Sequence, residues 1–305
     1  METRKIGSLD VSVIGLGCNN FGGRIDEAAT KDVVDAALDA GVNFFDTADI
    51  YGSTKSEEFL GRVLQGRRNR VILATKFGHK LDEEHQGAHP DYVKQACEDS
   101  LRRLQVDTID LYQLHTPDKT VPIADTLGAL DDLVKAGKVR EIGCSNFSVE
   151  QLQEAEKAAA GAKFVSVQNE YSMFVREPED GVLAECERQG LAFLPFFPLY
   201  SGLLTGKYRE GQPLPSGTRI TTESRFYSED KLKVVEKLIG FAESRGRTIL
   251  ELAMGWLLTN PVVVSVIAGA TKAGQVRGNA EAGSWRLSER EMSEVNAILD
   301  ENLSN

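Results

Sequence analysis

The sequence predicts an α/β fold, a single (β/α)8 barrel domain over residues 1–305 with an N-terminal hairpin and extra C-terminal helices. Eight short runs rich in β-branched and aromatic residues are each followed by a longer segment of helical period, which is typical of a parallel sheet. Eight strands also close a barrel, and about 250 residues are typical of one. The spare length covers the hairpin RKIGSLDVS, a long loop near 199–228 and a terminal helix.

The predicted strands follow one another along the chain with helical segments between them. They are, in order, VSVIGLG, NFFDT, VILATKFG, TIDLYQLH, VREIGCSNF, FVSVQNEY, LAFLPFFP and VVVSVIAGA. DEAATKDVVDAALDAG has a helical pattern, SVEQLQEAEKAAAG begins at a serine cap, and HPDYVKQACEDSLRRLQ has a proline near its start. The long loop and two helical stretches follow the seventh strand, and the amphipathic SEREMSEVNAILDEN closes the chain.

A doubly wound open sheet is the alternative fold. It would place a G-x-G-x-x-G turn after the first strand. The segment GLGCNNFGG does not have that spacing, and no acidic residue follows it where a ribose-binding group is usual. No stretch reads as a linker, so we expect one domain and favour the barrel.

Composition and charge exclude several classes of protein. The net charge of −11 argues against nucleic acid or an anionic membrane as a partner. No apolar run approaches the roughly 20 residues of a membrane span, and METRKIGSLDV is unlike a signal peptide. The four cysteines are scattered without a C-x-x-C motif, which is typical of reduced thiols. We therefore expect a cytoplasmic protein without a structural metal.

Four polar residues fall at the predicted carboxyl ends of three consecutive strands, where barrel enzymes carry their catalytic groups. Asp46 ends NFFDT, Tyr51 lies in the next loop, Lys76 lies in ATKFG, and His115 ends YQLH. Each residue alone has an ordinary structural explanation: a cap, a packed rim aromatic, an ion-pair partner and a core histidine. Their coincidence at one end of the barrel favours a catalytic site.

This combination of side chains suits proton exchange at a carbonyl oxygen. A tyrosine has an ordinary pKa of about 10, which a nearby ammonium lowers by favouring the phenolate. We expect Lys76 to lower the pKa of Tyr51 in this way and Asp46 to hold Lys76 in place. His115 can donate a hydrogen bond to the substrate oxygen. The set predicts carbonyl reduction or alcohol oxidation with Tyr51 as general acid and base, and it requires a source of hydride.

Essentially the whole chain resembles the aldo-keto reductases. The resemblance rests on NFFDTADIYG, VILATKFG, IDLYQLH, GCSNF, VQNEYS, PLYSGLLTGKY and VIAGATKAGQVRGN, in that order. It implies an NADP-dependent (β/α)8 barrel in which Asp46, Tyr51, Lys76 and His115 form the catalytic tetrad. It also implies a nicotinamide cofactor bound in extended form and a small-molecule carbonyl substrate.

The resemblance assigns the cofactor contacts to strand ends and to the loops after them. Ser145, Asn146 and Gln168 would meet the carboxamide of the cofactor. Phe196 would stack on the nicotinamide ring, and the LYSGLLTGK loop would hold the pyrophosphate. The implied cofactor residues are Gly17, Cys18, Asn19, Asp46, Ser145, Asn146, Gln168, Phe196, Phe197, Pro198, Leu199, Ser201, Gly202, Lys207, Gly269, Thr271, Lys272, Gln275 and Asn279.

The segment ATKAGQVRGN favours NADPH over NADH. Phosphate groups bind well at a helix N-terminus, where N–H groups are free and the helix dipole is positive. Lys272 and Arg277 lie at or near the predicted start of this helix. Positively charged side chains are unfavourable at that position unless an anion is bound there. Lys272 can bind a 2′-phosphate.

Two loops are candidates for further contacts. Asn20, Phe21, Arg225 and Phe226, with Tyr227, are expected to wall the substrate pocket beside Tyr51 and His115. Three histidines lie together in HKLDEEHQGAH, where a metal site with His79, His85, His89 and Asp82 or Glu83 is an alternative. We favour a mobile polar loop without a metal.

Two other functions are weighed against the reductase. The potassium-channel β subunits belong to the same family and act mainly as regulatory partners, and QNEYSMFVREPED is similar to that branch. A barrel isomerase or hydrolase acting on a phosphorylated sugar is the third alternative, and it predicts no binding of NADPH. The complete tetrad favours the enzyme.

Overall fold

Eight parallel strands form a barrel, and a two-stranded antiparallel hairpin precedes it. The computed structural model describes residues 1–303. The hairpin consists of β1 (Thr3–Ile6) and β2 (Leu9–Ser12). The barrel strands are β3 (Ile14–Gly17), β4 (Phe44–Asp46), β5 (Ile72–Phe77), β6 (Ile109–Leu114), β7 (Val139–Ser145), β8 (Phe164–Glu170), β9 (Ala192–Phe196) and β10 (Val266–Gly269).

The strands lie in chain order around the barrel, and β10 lies beside β3. Phe193 of β9 closes the ring, because its N–H donates to the carbonyl of Val262 at 2.9 Å and its carbonyl accepts from the N–H of Val264 at 3.1 Å. The predicted (β/α)8 barrel is therefore confirmed. All eight carboxyl ends meet at one mouth, where the side chains of separate strands can form a site.

Ten helices surround the barrel in the part of the chain from 1 to 303. Several begin at side-chain caps: Ser148, which was predicted, and Thr248 accept hydrogen bonds from the N–H groups of Gln151 and Glu251, each within a capping box. The helices are α1 (Glu27–Asp39), α2 (Lys55–Val63), α3 (Pro90–Leu104), α4 (Ile123–Lys135), α5 (Val149–Ala158), α6 (Val182–Gln189), α7 (Glu229–Glu243), α8 (Ile249–Thr259), α9 (Ala273–Ala282) and α10 (Glu289–Leu303).

The N-terminal hairpin fills one end of the barrel. Ile6, Leu9 and Val11 are fully buried and belong to a core cluster with inward-facing strand residues. Ser8, at the tip of the hairpin, bonds to the Glu141 carboxylate near the start of β7 at 2.7 Å. Since the hairpin occupies the amino-terminal end, the carboxyl-terminal mouth is left for a site.

Two predicted strands are shorter than expected. VSVIGLG is divided between β2 and β3, because Ser12 Oγ donates to the carbonyl of Ile14 at 2.7 Å where the chain turns. VVVSVIAGA contributes only its later part to β10, because its first part pairs with Phe193 of β9 through Val262 and Val264, while the carbonyl of Val263 accepts from Arg4 at 2.5 Å. Among the helices within residues 1–303, none is long and apolar enough to cross a membrane.

Candidate active site

A pocket of about 620 Å³ opens at the carboxyl-terminal mouth of the barrel. Most of the expected site residues line it, although they are spread along the whole chain. They are Gly17, Asn19, Asn20, Asp46, Tyr51, His115, Ser145, Asn146, Gln168, Phe196, Phe197, Pro198, Leu199, Ser201, Gly202, Lys207, Gly269, Thr271, Lys272, Gln275 and Asn279.

Asp46 and Lys76 form a buried ion pair at the end of β4 and β5. Lys76 Nζ lies 2.6 Å from Asp46 Oδ2 and 2.8 Å from the carbonyl oxygen of Thr47. Burial disfavours the charge on Lys76, but Asp46 and Tyr51 outweigh this effect, so the pKa of Lys76 is raised above its ordinary value. Lys76 therefore carries a fixed positive charge beside Tyr51.

Tyr51 lies against this ion pair, with the Lys76 ammonium 5.1 Å from the centre of its ring. Burial has the largest effect on the phenol and raises its pKa, the charge of Lys76 lowers it, and Asp46 raises it again. The net pKa of Tyr51 is above its ordinary value. The expected net lowering is therefore wrong, although the lysine acts in the expected direction. The phenol stays protonated at neutral pH and has a proton to donate.

His115 packs edge-on against Tyr51, with 5.8 Å between the ring centres. Burial first, and then the charges of Lys76 and His79, lower the pKa of His115 to about 2. The ring is therefore neutral at any physiological pH. Because the buried Nδ1 has no hydrogen-bond partner, the tautomer with its proton on Nε2 is favoured. A neutral imidazole of this kind can donate to an oxygen in the pocket.

Neutral amide and hydroxyl groups lie at or near the carboxyl-terminal ends of β7 and β8. Asn146 donates from its amide to the carbonyl of His115 at 3.0 Å, and Ser145 Oγ donates to the carbonyl of Gln168 at 2.6 Å. Gln168 Nε2 donates to Asp46 Oδ1 at 3.0 Å. Sequence reasoning missed Gln113 of β6, whose amide donates to the same oxygen at 3.1 Å. The available signal was an amide inside the strand run TIDLYQLH, two residues before His115.

The backbone after β9 is strained where it borders the pocket. Phe197, Tyr200 and Ser201 have φ angles of 51°, 46° and 59°, a left-handed conformation that residues other than glycine rarely adopt. Gly202 follows with a φ of 98°. Strain of this kind concentrates at ligand-binding and catalytic sites. This backbone lies where the resemblance places the pyrophosphate.

Four cations line the pocket, and within residues 1–303 none of them forms an ion pair with a carboxylate: Arg24, Lys207, Arg219 and Lys272. Sequence reasoning missed Arg24 and Arg219, which come from two different loops. Arg219 donates to the Asn20 side chain, and burial, followed by the charge of Arg24, lowers the pKa of Arg219. Lys272 precedes α9, whose first turn has neither a side-chain cap nor an acidic residue. These groups suit an anionic ligand.

Cys18 and Phe21 do not line the pocket, which differs from expectation. Cys18 and Phe21 are fully buried in the main hydrophobic core. Their side chains leave the β3 end toward the core, whereas the neighbouring Gly17, Asn19 and Asn20 border the cavity.

Arg225 and Phe226 also lie outside the pocket lining. Arg225 Nη2 pairs with Glu170 at 2.9 Å, and its guanidinium lies 4.2 Å from the ring centre of Phe226. Phe226 packs on Phe197 at 5.9 Å and on Tyr200 at 4.9 Å. These two residues therefore pack against the strained loop on the side away from the cavity.

The histidines of HKLDEEHQGAH separate in the structure. His79 lines the pocket, with its ring centre 4.2 Å from that of His115. His85 Nδ1 contacts Asp82 at 2.8 Å, and His89 caps α3. No group of three potential metal-ligating side chains within residues 1–303 is arranged around one point.

Comparisons with known proteins agree with this geometry. The model of the Aldo/keto reductase family matches residues 13–300. Aldo-keto reductase YhdN of Bacillus subtilis is 35% identical over 97% of this chain and 92% of its own length. The NADP(+) aldo-keto reductase yakc of Schizosaccharomyces pombe is 34% identical over 98% of this chain and 92% of its own.

Solved structures show the same relationship. The glycerol dehydrogenase AKR11B4 from Gluconobacter oxydans superposes with a TM-score of 0.88 at 32% identity, covering 99% of this chain and 96% of that one. Aldo-keto reductase AKR11C1 from Bacillus halodurans, in its holo form, gives a TM-score of 0.81 at 32% identity, covering 98% and 96%.

A parallel barrel with a polar, cation-lined pocket at its carboxyl-terminal mouth defines a barrel enzyme that binds an anionic ligand. The chain belongs to the aldo-keto reductase family. It is accordingly an NAD(P)-dependent oxidoreductase of a family that acts on small carbonyl compounds and alcohols. This membership disagrees with the alternative of a phosphosugar isomerase or hydrolase.

Proposed function

We propose that this protein catalyses the NADPH-dependent reduction of an aldehyde or ketone to an alcohol, or the reverse oxidation, with Tyr51 as general acid and base. One observation carries the proposal: Tyr51 borders the pocket beside the buried Asp46–Lys76 pair, and a neutral His115 lies next to it. When bound, the cofactor supplies the hydride that adds to the carbonyl carbon.

The residues of the chain divide the remaining work between them. Tyr51, protonated at neutral pH, gives its proton to the carbonyl oxygen. Lys76 stabilises the phenolate that this transfer leaves, because its ammonium is held charged beside the ring. His115 donates from Nε2 to the same oxygen and orients it. In the oxidative direction, the Tyr51 phenolate accepts the proton of the alcohol.

The pocket supports an extended, phosphate-bearing cofactor. Lys207 and Arg219 lie on the loops after β9, and Lys272 stands at the uncapped start of α9, so cations are spread along the cavity. A 2′-phosphate beside Lys272 would occupy the favourable end of the helix dipole. We therefore propose NADPH rather than NADH, and the NADP(+) named for the yakc relative supports this choice.

Small polar carbonyl compounds are the substrates to test first. His79 and Asn20 border the cavity with Tyr51 and His115, so polar groups surround the place where a carbonyl would meet the phenol. One structural relative is named a glycerol dehydrogenase. Glyceraldehyde and glycerol therefore belong in the substrate panel, beside simple aldehydes, ketones and quinones.

The test replaces Tyr51 by phenylalanine and follows NADPH absorbance with that panel. The wild type should oxidise NADPH over many turnovers, and Tyr51→Phe should lower kcat by about a hundredfold to ten-thousandfold because it removes the proton donor. The dissociation constant for NADPH, measured by fluorescence quenching, should change less than about twofold. Repeating the wild-type assay with NADH measures the cofactor preference.

Tyr92→Phe is the matched control, since the Tyr92 hydroxyl is buried without a hydrogen-bond partner and the residue does not line the pocket. This variant should keep the wild-type kcat. Wild-type turnover in Tyr51→Phe would rule out Tyr51 as the proton donor. Oxidation of only one equivalent of NADPH by the wild type would instead favour a regulatory protein similar to the channel β subunits.

A further inference from the structure

We propose that Gln113 is a positioning residue for this reaction: its side-chain amide holds Asp46 so that Asp46 can anchor Lys76. The proposal rests on the proposed function, because Lys76 matters here through its effect on Tyr51. Gln113 lies on β6, two residues before His115. It does not line the pocket and is fully buried, so it touches neither substrate nor cofactor.

The Asp46 carboxylate is held on both of its oxygens. Oδ2 accepts from Lys76 at 2.6 Å, while Oδ1 accepts from Gln113 Nε2 at 3.1 Å and from Gln168 Nε2 at 3.0 Å. Only the nitrogen of a glutamine amide can donate to a carboxylate, so the charge of Asp46 fixes the orientation of both amides. Gln113 and Lys76 therefore donate hydrogen bonds to the two different oxygens of the Asp46 carboxylate.

The register of the barrel explains how the amide reaches Asp46. Gln113 pairs with Lys76 on β5 and with Gly143 on β7. A Cβ added to Gly143 would lie 3.3 Å from Gln113 Cγ and 2.5 Å from Ser166 Oγ. The missing side chain at position 143 leaves the space in which the glutamine crosses the barrel interior.

The amide at this position does more than fill the barrel interior. An apolar side chain would fill the same volume, but it would leave the buried Asp46 carboxylate with one donor fewer. The hydrogen bond to the charged Asp46 is the strongest contact that the amide makes. Its benefit is geometric, because without Gln113 the Oδ1 oxygen loses one of its two amide donors, and the carboxylate can then rotate and move the ammonium of Lys76 away from Tyr51.

The main test is Gln113→Met, which keeps the length of the side chain and removes the donor. The kcat for carbonyl reduction should fall by about tenfold to a hundredfold, which corresponds to one lost hydrogen bond to a buried charge. The KM for the carbonyl substrate and the dissociation constant for NADPH should stay within about twofold, because Gln113 contacts neither ligand. Equal losses in kcat and in NADPH affinity would contradict a positioning role.

A second variant, Gln113→Glu, gives a readout that a merely structural role would not produce. The introduced carboxyl meets Asp46, and of two adjacent carboxyls one is held protonated at neutral pH. In that form it still donates a hydrogen bond to Asp46, so kcat should approach the wild-type value at low pH. As the pH rises and this proton is lost, kcat should fall through an ionisation that the wild type does not show.

Thr75→Val is the matched control. Thr75 lies on β5 next to Lys76 in sequence, is fully buried, and donates to Glu57 Oε1 at 2.6 Å. The variant also loses one buried hydrogen bond to a carboxylate, so its thermal stability should fall by a similar amount, whereas its kcat should remain that of the wild type. A matching loss of kcat in Thr75→Val would assign the effect of Gln113 to general destabilisation.

The outcomes separate this proposal from the proposed function. A wild type without NADPH-dependent turnover overturns the proposed function itself. An active wild type with an inactive Tyr51→Phe and a fully active Gln113→Met overturns only the positioning role. Should Gln113→Met fail to fold, the pH profile of Gln113→Glu decides, and a profile that parallels the wild type at every pH overturns the role.

Discussion

Asp46 and Asp49 lie three residues apart in the segment DTADIYG, and both are almost completely buried, at 2% and 1% exposure. Asp46 ends β4, and its two oxygens accept from Lys76, Gln113 and Gln168. Asp49 lies in the following loop, and no side chain within residues 1–303 donates to either of its oxygens. Burial is therefore not what distinguishes the two carboxyls; the groups that face them are.

The surroundings of Asp49 explain why no side chain donates a hydrogen bond to it. Glu57 is the carboxylate whose charge acts on Asp49. It accepts hydrogen bonds from the Arg103 guanidinium at 2.6 Å and from the Thr75 hydroxyl at 2.6 Å. Burial, followed by the charge of Glu57, raises the pKa of Asp49 to about 7. The backbone N–H of Ile50, followed by the charges of Arg103 and Lys76, lowers the pKa and offsets this rise only in part. The segment DTADIYG therefore contains one acid that is paired and one that keeps its proton up to neutral pH.

The largest effect is expected when the pairing of Asp46 is broken. Lys76→Met should abolish most turnover and lower the free energy of unfolding by about 3–5 kcal/mol, because it leaves a buried carboxylate without its cation. Chemical denaturation measures the stability, and NADPH absorbance measures the turnover. A combined Asp46→Asn and Lys76→Met variant should recover much of the stability but none of the activity. If the single and double variants were equally unstable, the ion pair would not be the cause.

A smaller, pH-dependent effect is expected for Asp49→Asn. The pKa of Asp49 rises from 3.8 to about 7 on folding, so the folded protein binds this proton more tightly than the unfolded chain. Its contribution to stability is full below pH 4 and is lost as the pH rises through 7. The variant should therefore gain stability relative to the wild type between pH 4 and pH 8, by at most about 4 kcal/mol at about 1.4 kcal/mol per pKa unit.

Thermal unfolding of both proteins at a series of pH values measures this difference. Activity at neutral pH should change less than about twofold, because Asp49 does not line the pocket. Parallel stability curves for the wild type and Asp49→Asn would show that Asp49 is ionised in the folded protein, which would remove the contrast with Asp46.

The smallest effect is expected at an ion pair whose arginine is exposed. Glu170 pairs with Arg225 at 2.9 Å, and the Arg225 side chain is 57% exposed. Exposed pairs contribute about 0–1 kcal/mol, so Arg225→Ala should lower the free energy of unfolding by no more than about 1 kcal/mol. Its kcat should stay near that of the wild type. A large loss of turnover would restore Arg225 as a substrate contact despite its position behind the strained loop.

Local patterns were sufficient for the barrel and for much of the site. The alternation of strand and helix signals predicted the order of the elements, and the strand ends supplied Asp46, Tyr51, Lys76 and His115 to one mouth. Those positions follow from sequence spacing, because every strand of a parallel barrel ends at the same side. Gln113 could not be predicted in this way, since its proposed role depends on a hydrogen bond to Asp46 on another strand.

Residues from distant loops were not predictable in this way. Arg24 and Arg219 line the pocket because the loops after β3 and β9 are in contact at Asn20. No local sequence pattern predicts this contact. Phe21 and Arg225 were expected at the pocket, but the packing of the core and the ion pair with Glu170 direct them elsewhere. Loop side chains take their direction from long-range contacts.

The linear chain thus specified the number and order of the strands, the reactive residues at their ends and the cation at the start of α9, because each of these depends on neighbours a few positions away. The folded barrel decided which carboxyl is paired, how the net pKa of Tyr51 balances burial against Lys76, and which loops face the cavity. Electrostatic energies depend on distance and on exclusion of water, and both arise only when separate strands come together.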